Sequence, residues 1–444
     1  MTTPQPEVYN IYFDQDIDLV VMVWKGYSTS EQFREGTELM LNELISNGSS
    51  KVLADVREMI LIGMEDQRWL ETRFLPRAIK FGFRQIAIIT PNSYFNKVAI
   101  ESISYKVDKE KISMDDFVPA TVVGYSQWPK NSPNYWALPA MADAVGWTYR
   151  KDWFSRPEIQ SAFTAKYGRD LAPPKTYDEL KQIAEFFQGR EIDGKKVYGA
   201  YIFTERGSEG ITMGVTNVLY NYGFSYDNPK KAYQMQGIVN SSDAAKGLEF
   251  YKELYKCCTA PGMTNAYMQE GLDAFKSGQV AMQMNWFAFF PGLYKDPNVG
   301  GDKIGFFVNP AGPNGHFTQL GGQGISVVAT SDRKDDALAY IKWFAQPAVQ
   351  QKWWQLGGYS ALKAVVDAPD FPKSAAFAPQ FLESMGIVKD FWAEPSYAQL
   401  LLDMQKRVHD YVVADKGTAQ QALDLLVKDW TKVFKEQGKQ VASQ

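Results

Sequence analysis

A chain of 444 residues is longer than one hydrophobic core usually serves, so two or three domains are expected. A net charge of −4, with 45% hydrophobic and 22% charged residues, describes an ordinary globular composition and excludes the basic stripe that nucleic acid would need. No run approaches a membrane-spanning helix, and Met1 to Glu7 lacks the basic-then-apolar pattern of a secretion signal, so the chain as written reads as cytoplasmic.

In chain order, Val8 to Phe13 and Asp18 to Trp24 read as strands. Ser30 then precedes a helix with Phe33, Leu39, Met40, Leu41 and Leu44 at helical spacing, closed by Asn47-Gly48. Lys51 to Asp55 is a short buried-strand pattern. A helix from Asp66 to Phe81, a strand from Arg84 to Ile89 and another from Ser102 to Val107 complete one small α/β domain, residues 1–114. The texture then changes. Thr176 with Glu179 and Thr418 with Gln421 are capping boxes ahead of long amphipathic helices. Ser331 or Asp332 starts a helix with Ala337, Tyr340, Ile341 and Phe344 inward. Val197 to Ile202, Val280 to Met284 and Gly324 to Ala329 read as strands, and Gly321 to Gly324 as a glycine-rich turn. Adjacent Cys257 and Cys258 cannot easily span the usual disulfide separation, so two buried thiols are expected and no Cys/His metal site.

Two resemblances follow from particular stretches. Val52-Leu53-Ala54-Asp55-Val56-Arg57-Glu58-Met59, followed by Phe83-Arg84-Gln85-Ile86-Ala87-Ile88, resembles the SpoIIAA-like (STAS-like) domains of bacteria over residues 8–114. The segment Leu61 to Asp66 lacks the hydroxyl of a phospho-switch, and Asp55 with Arg57 reads as a structural pair. In the remainder, four segments are decisive in order: Tyr135-Trp136-Ala137-Leu138-Pro139 running into Trp147 to Phe154; Pro173 to Leu180; Gly278 to Trp286; and Gly321 to Val327 followed by Gly357 to Lys363. Their order and spacing resemble the extracellular solute-binding proteins of sugar ABC transporters, the maltose-binding-protein-like group, over residues 115–444.

That resemblance implies a type II periplasmic-binding-protein fold of two α/β lobes, here without the family's first strands and helices. It implies a non-catalytic receptor with no cofactor, a sugar or oligosaccharide ligand, ABC membrane subunits as partners, and a periplasmic or extracellular setting. A sugar offers a C–H face to an indole and hydroxyls to carboxylates and amides. Carried over residue by residue, Trp286 and Trp392 become stacking rings, while Asp143, Glu205 (preferred to Glu209) and Gln323 become polar contacts. Tyr135 and Tyr359 are lesser candidates. For every aromatic among them the competing reading is a core side chain. The missing opening implies a fusion, engineered or natural, with weakened sugar affinity, and a homodimer as one way to cover exposed sheet edges. A cytosolic STAS-like regulator is the alternative function. A glycoside hydrolase using Asp143, Glu205 and Glu209 ranks third, since nothing fixes a suitable separation and neither histidine, His316 or His409, has a catalytic partner pattern.

Overall fold

A computed structural model describes residues 8–59, 64–89, 112–129, 132, 134–226, 228 and 230–442. The chain divides into two compact units, residues 1–111 and 112–444.

Unit 1 is built on a four-stranded sheet in the order β1 (Tyr9–Asp14), β2 (Leu19–Gly26), β3 (Lys51–Met59), β4 (Gln85–Ile89). β1 and β2 form an antiparallel pair, whereas β2–β3 and β3–β4 are parallel. The crossover from β2 to β3 is helix α1 (Ser30–Ser46), whose cap is Thr29: its side chain and that of Gln32 bond each other's backbone reciprocally. Gly48 follows the helix with φ +63°, a backbone state that a side chain would strain. The single helix expected over 66–81 is instead helical over Met64–Trp69, wound wider over Leu70–Phe74, and helical again over Leu75–Lys80. Pro76 explains this, because its missing N–H cannot continue the regular ladder; Leu75 N–H reaches Leu70 O instead. Trp24, Leu44 and Phe74 centre the core. The strand expected at Ser102 to Val107 lies outside the described residues.

Unit 2 carries a short hairpin, β6 (Glu191–Ile192) and β7 (Lys195–Lys196), and one six-stranded sheet. That sheet comprises β5 (Leu138–Arg150), β8 (Tyr198–Tyr201), β9 (Val280–Trp286), β10 (Ile304–Val308), β11 (Thr318–Ile325) and β12 (Val388–Lys389), ordered β12-β11-β5-β9-β8 with β10 also on β5. The 13-residue β5 serves two partners in turn. Its first half, Leu138 to Ala144, pairs with β11, and its second half, Val145 to Arg150, with β9 and β10. Every residue of β9 is buried, which suits a central strand covered on both faces.

Three expectations are corrected here. Cys257 and Cys258, at the end of helix Ser242–Cys258, are joined by a disulfide and are not two thiols. Gly321 to Gly324 is no turn: it lies within β11, with a bulge between Gln323 and Gly324 that absorbs the irregularity. The helix after it spans Lys334–Phe344, two residues later than expected, and only Ile341 is fully buried. Tyr340, expected inward, is 54% exposed and stacks on Trp343 and Phe344.

Candidate functional site

The point where β5 passes from β11 to β9 and β10 gathers polar groups in an apolar setting. Trp286 ends β9 opposite Val145 of β5, and Gly321 of β11 sits opposite Asp143. The indole lies against Gly321 so closely that an added Cβ would meet its Cζ3 at 2.3 Å, so glycine is what lets the ring occupy this place. Trp286 is buried, and its Nε1–H donates to the Tyr267 hydroxyl at 3.1 Å.

Asp143 is also buried. Its Oδ1 accepts the backbone N–H groups of Ala144 at 2.8 Å and Ala288 at 3.3 Å. Burial pushes its carboxyl up to about 8, with those backbone donors pulling the other way. Tyr359 donates to the Phe287 carbonyl beside it, and its hydroxyl is held far above the usual range by burial and by the nearby Asp143 charge. Tyr125 also faces this region: burial, then the charges of Asp390 and Asp143, raise its hydroxyl, which has no hydrogen-bond partner among the described residues.

The loop after β8 brings the acidic residues. Glu205 is partly buried, anchored by its N–H on Ala266 O at 3.1 Å, and accepts from Ser208. Glu209 accepts the Tyr267 hydroxyl at 3.3 Å. Burial raises its carboxyl, the Tyr267 bond opposes that, and the Glu205 charge adds to it. Trp286, Tyr267 and Glu209 therefore form one hydrogen-bonded chain.

The structure thus gathers Asp143, Trp286 and Tyr359, and links Trp286 to Glu209 through Tyr267, with Glu205 alongside. Gln323 stays exposed on β11 opposite Met141, and Tyr135 is 47% exposed, bridged to Gln127. Trp392 is partly buried in a different aromatic group, with ring centroids 4.8 Å from Phe434, 6.0 Å from Trp430 and Tyr233, and 6.2 Å from Tyr226. Sequence reasoning passed over Tyr267 and Tyr125. Tyr267 caps the helix Met268–Lys276, with Glu270, three residues on, accepting its backbone N–H. An open groove of about 710 Å³ lies elsewhere, between the last two helices, lined by Ser396, Leu402, Asp403 and Lys432 and by none of the residues above. Among the described residues no cluster of three or more His, Cys, Asp or Glu side chains suits a metal. No helix among them is long and apolar enough to cross a membrane.

Comparison with known proteins decides the family, because the description "bacterial extracellular solute-binding protein" matches residues 87–379, about two thirds of the chain. The chain belongs to the bacterial extracellular solute-binding proteins. The match begins ahead of the expected boundary at residue 115. Among relatives, the probable ABC transporter-binding protein of Deinococcus radiodurans is 26% identical over 49% of this chain and 48% of its own length. The probable amino-acid ABC transporter periplasmic-binding protein of Sinorhizobium fredii is 24% identical over 65% of this chain and 62% of its own. The chain thus spans roughly half to three fifths of the curated relatives it matches. A maltose-bound MalE3 of T. maritima shares the fold, with 20% identity and a TM-score of 0.59 over 86% of this chain and 99% of that one. Family and fold are those of non-enzymatic solute-binding proteins with a mixed α/β two-lobe architecture.

Proposed function

We propose that this solute-binding protein is the capturing component of an ABC importer and takes a sugar or polyol at the β5–β9–β11 crossover. The observation that carries the reading is the Trp286 indole, oriented by its hydrogen bond to Tyr267 and packed on Gly321 beside Asp143. An indole supplies the apolar stacking face, and buried acceptors supply directional bonds to hydroxyls in a low-dielectric setting. Asp143, Glu205 and Gln323 are the proposed polar contacts, Trp392 a second ring that would meet the ligand from its own aromatic group, and Tyr135 and Tyr359 lesser contacts. The membrane subunits of the importer are the proposed protein partners, on the periplasmic or extracellular side.

The finer reading takes residues 8–114 as a STAS-like module standing in the place of the family's usual opening, with capture weakened accordingly. Its alternative is a cytosolic regulator led by unit 1. Asp55 and Arg57, the polar pair available to a regulator, bond each other at 2.7 Å and favour a structural role.

Titration calorimetry against monosaccharides, disaccharides, polyols and amino acids tests the proposal. Weak binding of a sugar or polyol is expected, reduced at least tenfold, about 1.4 kcal/mol, in Trp286→Ala. Capture of an amino acid in their place, or titrations indifferent to Trp286→Ala, overturns it. Submicromolar sugar binding would remove the weakened-affinity part alone.

A further inference from the structure

The three-membered chain Trp286–Tyr267–Glu209 does more than orient a ring. An indole N–H can only donate, and a phenol has one hydrogen to give. With Trp286 donating to the Tyr267 oxygen at 3.1 Å and that hydroxyl donating to Glu209 at 3.3 Å, the donor directions are fixed along the whole chain. We propose that Tyr267 is a positioning residue that locks the Trp286 indole and ties the strength of that lock to the protonation state of Glu209.

The physical reason is polarisation along the chain. A carboxylate accepting the phenolic proton draws it away from the oxygen, which becomes a better acceptor for the indole N–H. A neutral carboxyl accepts less well, so the Trp286–Tyr267 bond slackens. The groups facing Glu209 come from several elements. Glu205 shares its loop and opposes its ionisation, Tyr267 arrives from the start of the helix Met268–Lys276, and Tyr397, on the helix Tyr397–Val412, feels the Glu209 charge. Tyr267 in turn is constrained by Glu270 at its backbone N–H, and its ring packs edge-on against Phe203 with centroids 4.8 Å apart.

This inference rests on the Trp286 reading for its meaning in ligand capture, but its test needs no ligand. With tryptophan labelled by ¹⁵N at the indole nitrogen, the Trp286 N–H resonance is the one lost in Trp286→Phe. As pH rises from about 4 to about 7, below the titration of the neighbouring Asp143, that resonance is expected to move downfield in one step, centred above the ordinary glutamate range. Glu209→Gln should abolish the step. Tyr267→Phe should shift the resonance upfield and leave it without pH dependence, and Glu205→Gln should lower the midpoint without removing it. A Trp286 resonance that ignores pH, or a step that survives both Tyr267→Phe and Glu209→Gln, overturns the proposal; should Tyr267→Phe fail to fold, Glu209→Gln alone decides. A step that appears as described while Trp286→Ala leaves every sugar titration unchanged keeps the coupling and discards the sugar reading.

Discussion

Asp143 seals its carboxyl inside unit 2, and the backbone N–H groups around it do not offset the loss of water. Its pKa in the folded chain is about 8, against roughly 4 for an aspartate in an unfolded chain. A group raised in this way contributes stability that is fully present below about pH 4 and is lost as pH rises through about 8. Urea unfolding at a series of pH values should therefore show the wild type losing stability relative to Asp143→Asn, with a difference slope approaching about 1.4 kcal/mol per pH unit between those limits. Parallel curves would mean that Asp143 is hydrated in solution. The same sign applies to Glu209, because its pKa is also raised by burial.

At the level of elements, buried amides tie the strands of the sheet to their surroundings, with Asn309 at the centre. Asn309 follows β10, and its Oδ1 accepts from Trp147 Nε1 at 3.0 Å and Asn217 Nδ2 at 2.7 Å. Its Nδ2 reaches the Tyr177 hydroxyl and the Phe317 carbonyl, each at 2.8 Å. Asn309→Leu leaves at least two buried donors without acceptors, each worth about 1–3 kcal/mol, so a loss of about 3 kcal/mol or more is expected in chemical denaturation. A loss below about 1 kcal/mol would show that water replaces the amide. Caps are cheaper to break: Thr418 and Gln421 bond reciprocally ahead of the helix Ala419–Glu436, and Thr418→Ala should cost about 1 kcal/mol by the same measurement. These devices differ in how visible they are from sequence. The Thr418 box is local and reads directly from spacing, as do β9 and the strands of unit 1, each a short stretch rich in apolar residues. The Asn309 network joins residues 162 positions apart and has no local pattern. The helix Lys334–Phe344 misled for a related reason. Its aromatic residues follow helical spacing, yet they stack mainly on one another, so periodicity named a face without naming what covers it. Within the candidate site, Trp286 was named through the family resemblance, and the structure puts its ring at the end of β9 against Gly321. Tyr267 and Tyr125 were not, since tyrosines fit a core equally well and only the fold brings them to Trp286 and Asp143.

Among the described residues each unit has its own cluster of buried side chains: one is centred on Trp24, Leu44 and Phe74, the other contains Trp147, Phe187 and Trp430. Domains with separate cores unfold as separate cooperative units, so calorimetry of the full chain should resolve two transitions. Trp24 is the residue with which to assign them. It is 2% exposed and packs at centroid distances of 5.3 Å on both Tyr9 and Phe33. Trp24→Ala is expected to lower the transition of unit 1 by about 3–5 kcal/mol, the usual loss for a large aromatic core residue, while leaving the other in place. A sugar at about a hundred times its dissociation constant should do the reverse, adding about 2.7 kcal/mol to the transition of unit 2 alone. A single transition that both perturbations move would show that the units fold as one body, and the capture proposal would then have to include unit 1 in the binding equilibrium. Two transitions that the sugar leaves untouched, with Trp24→Ala behaving as expected, would instead separate a sound fold from a wrong ligand class, and the amino-acid arm of the titration would become the next measurement.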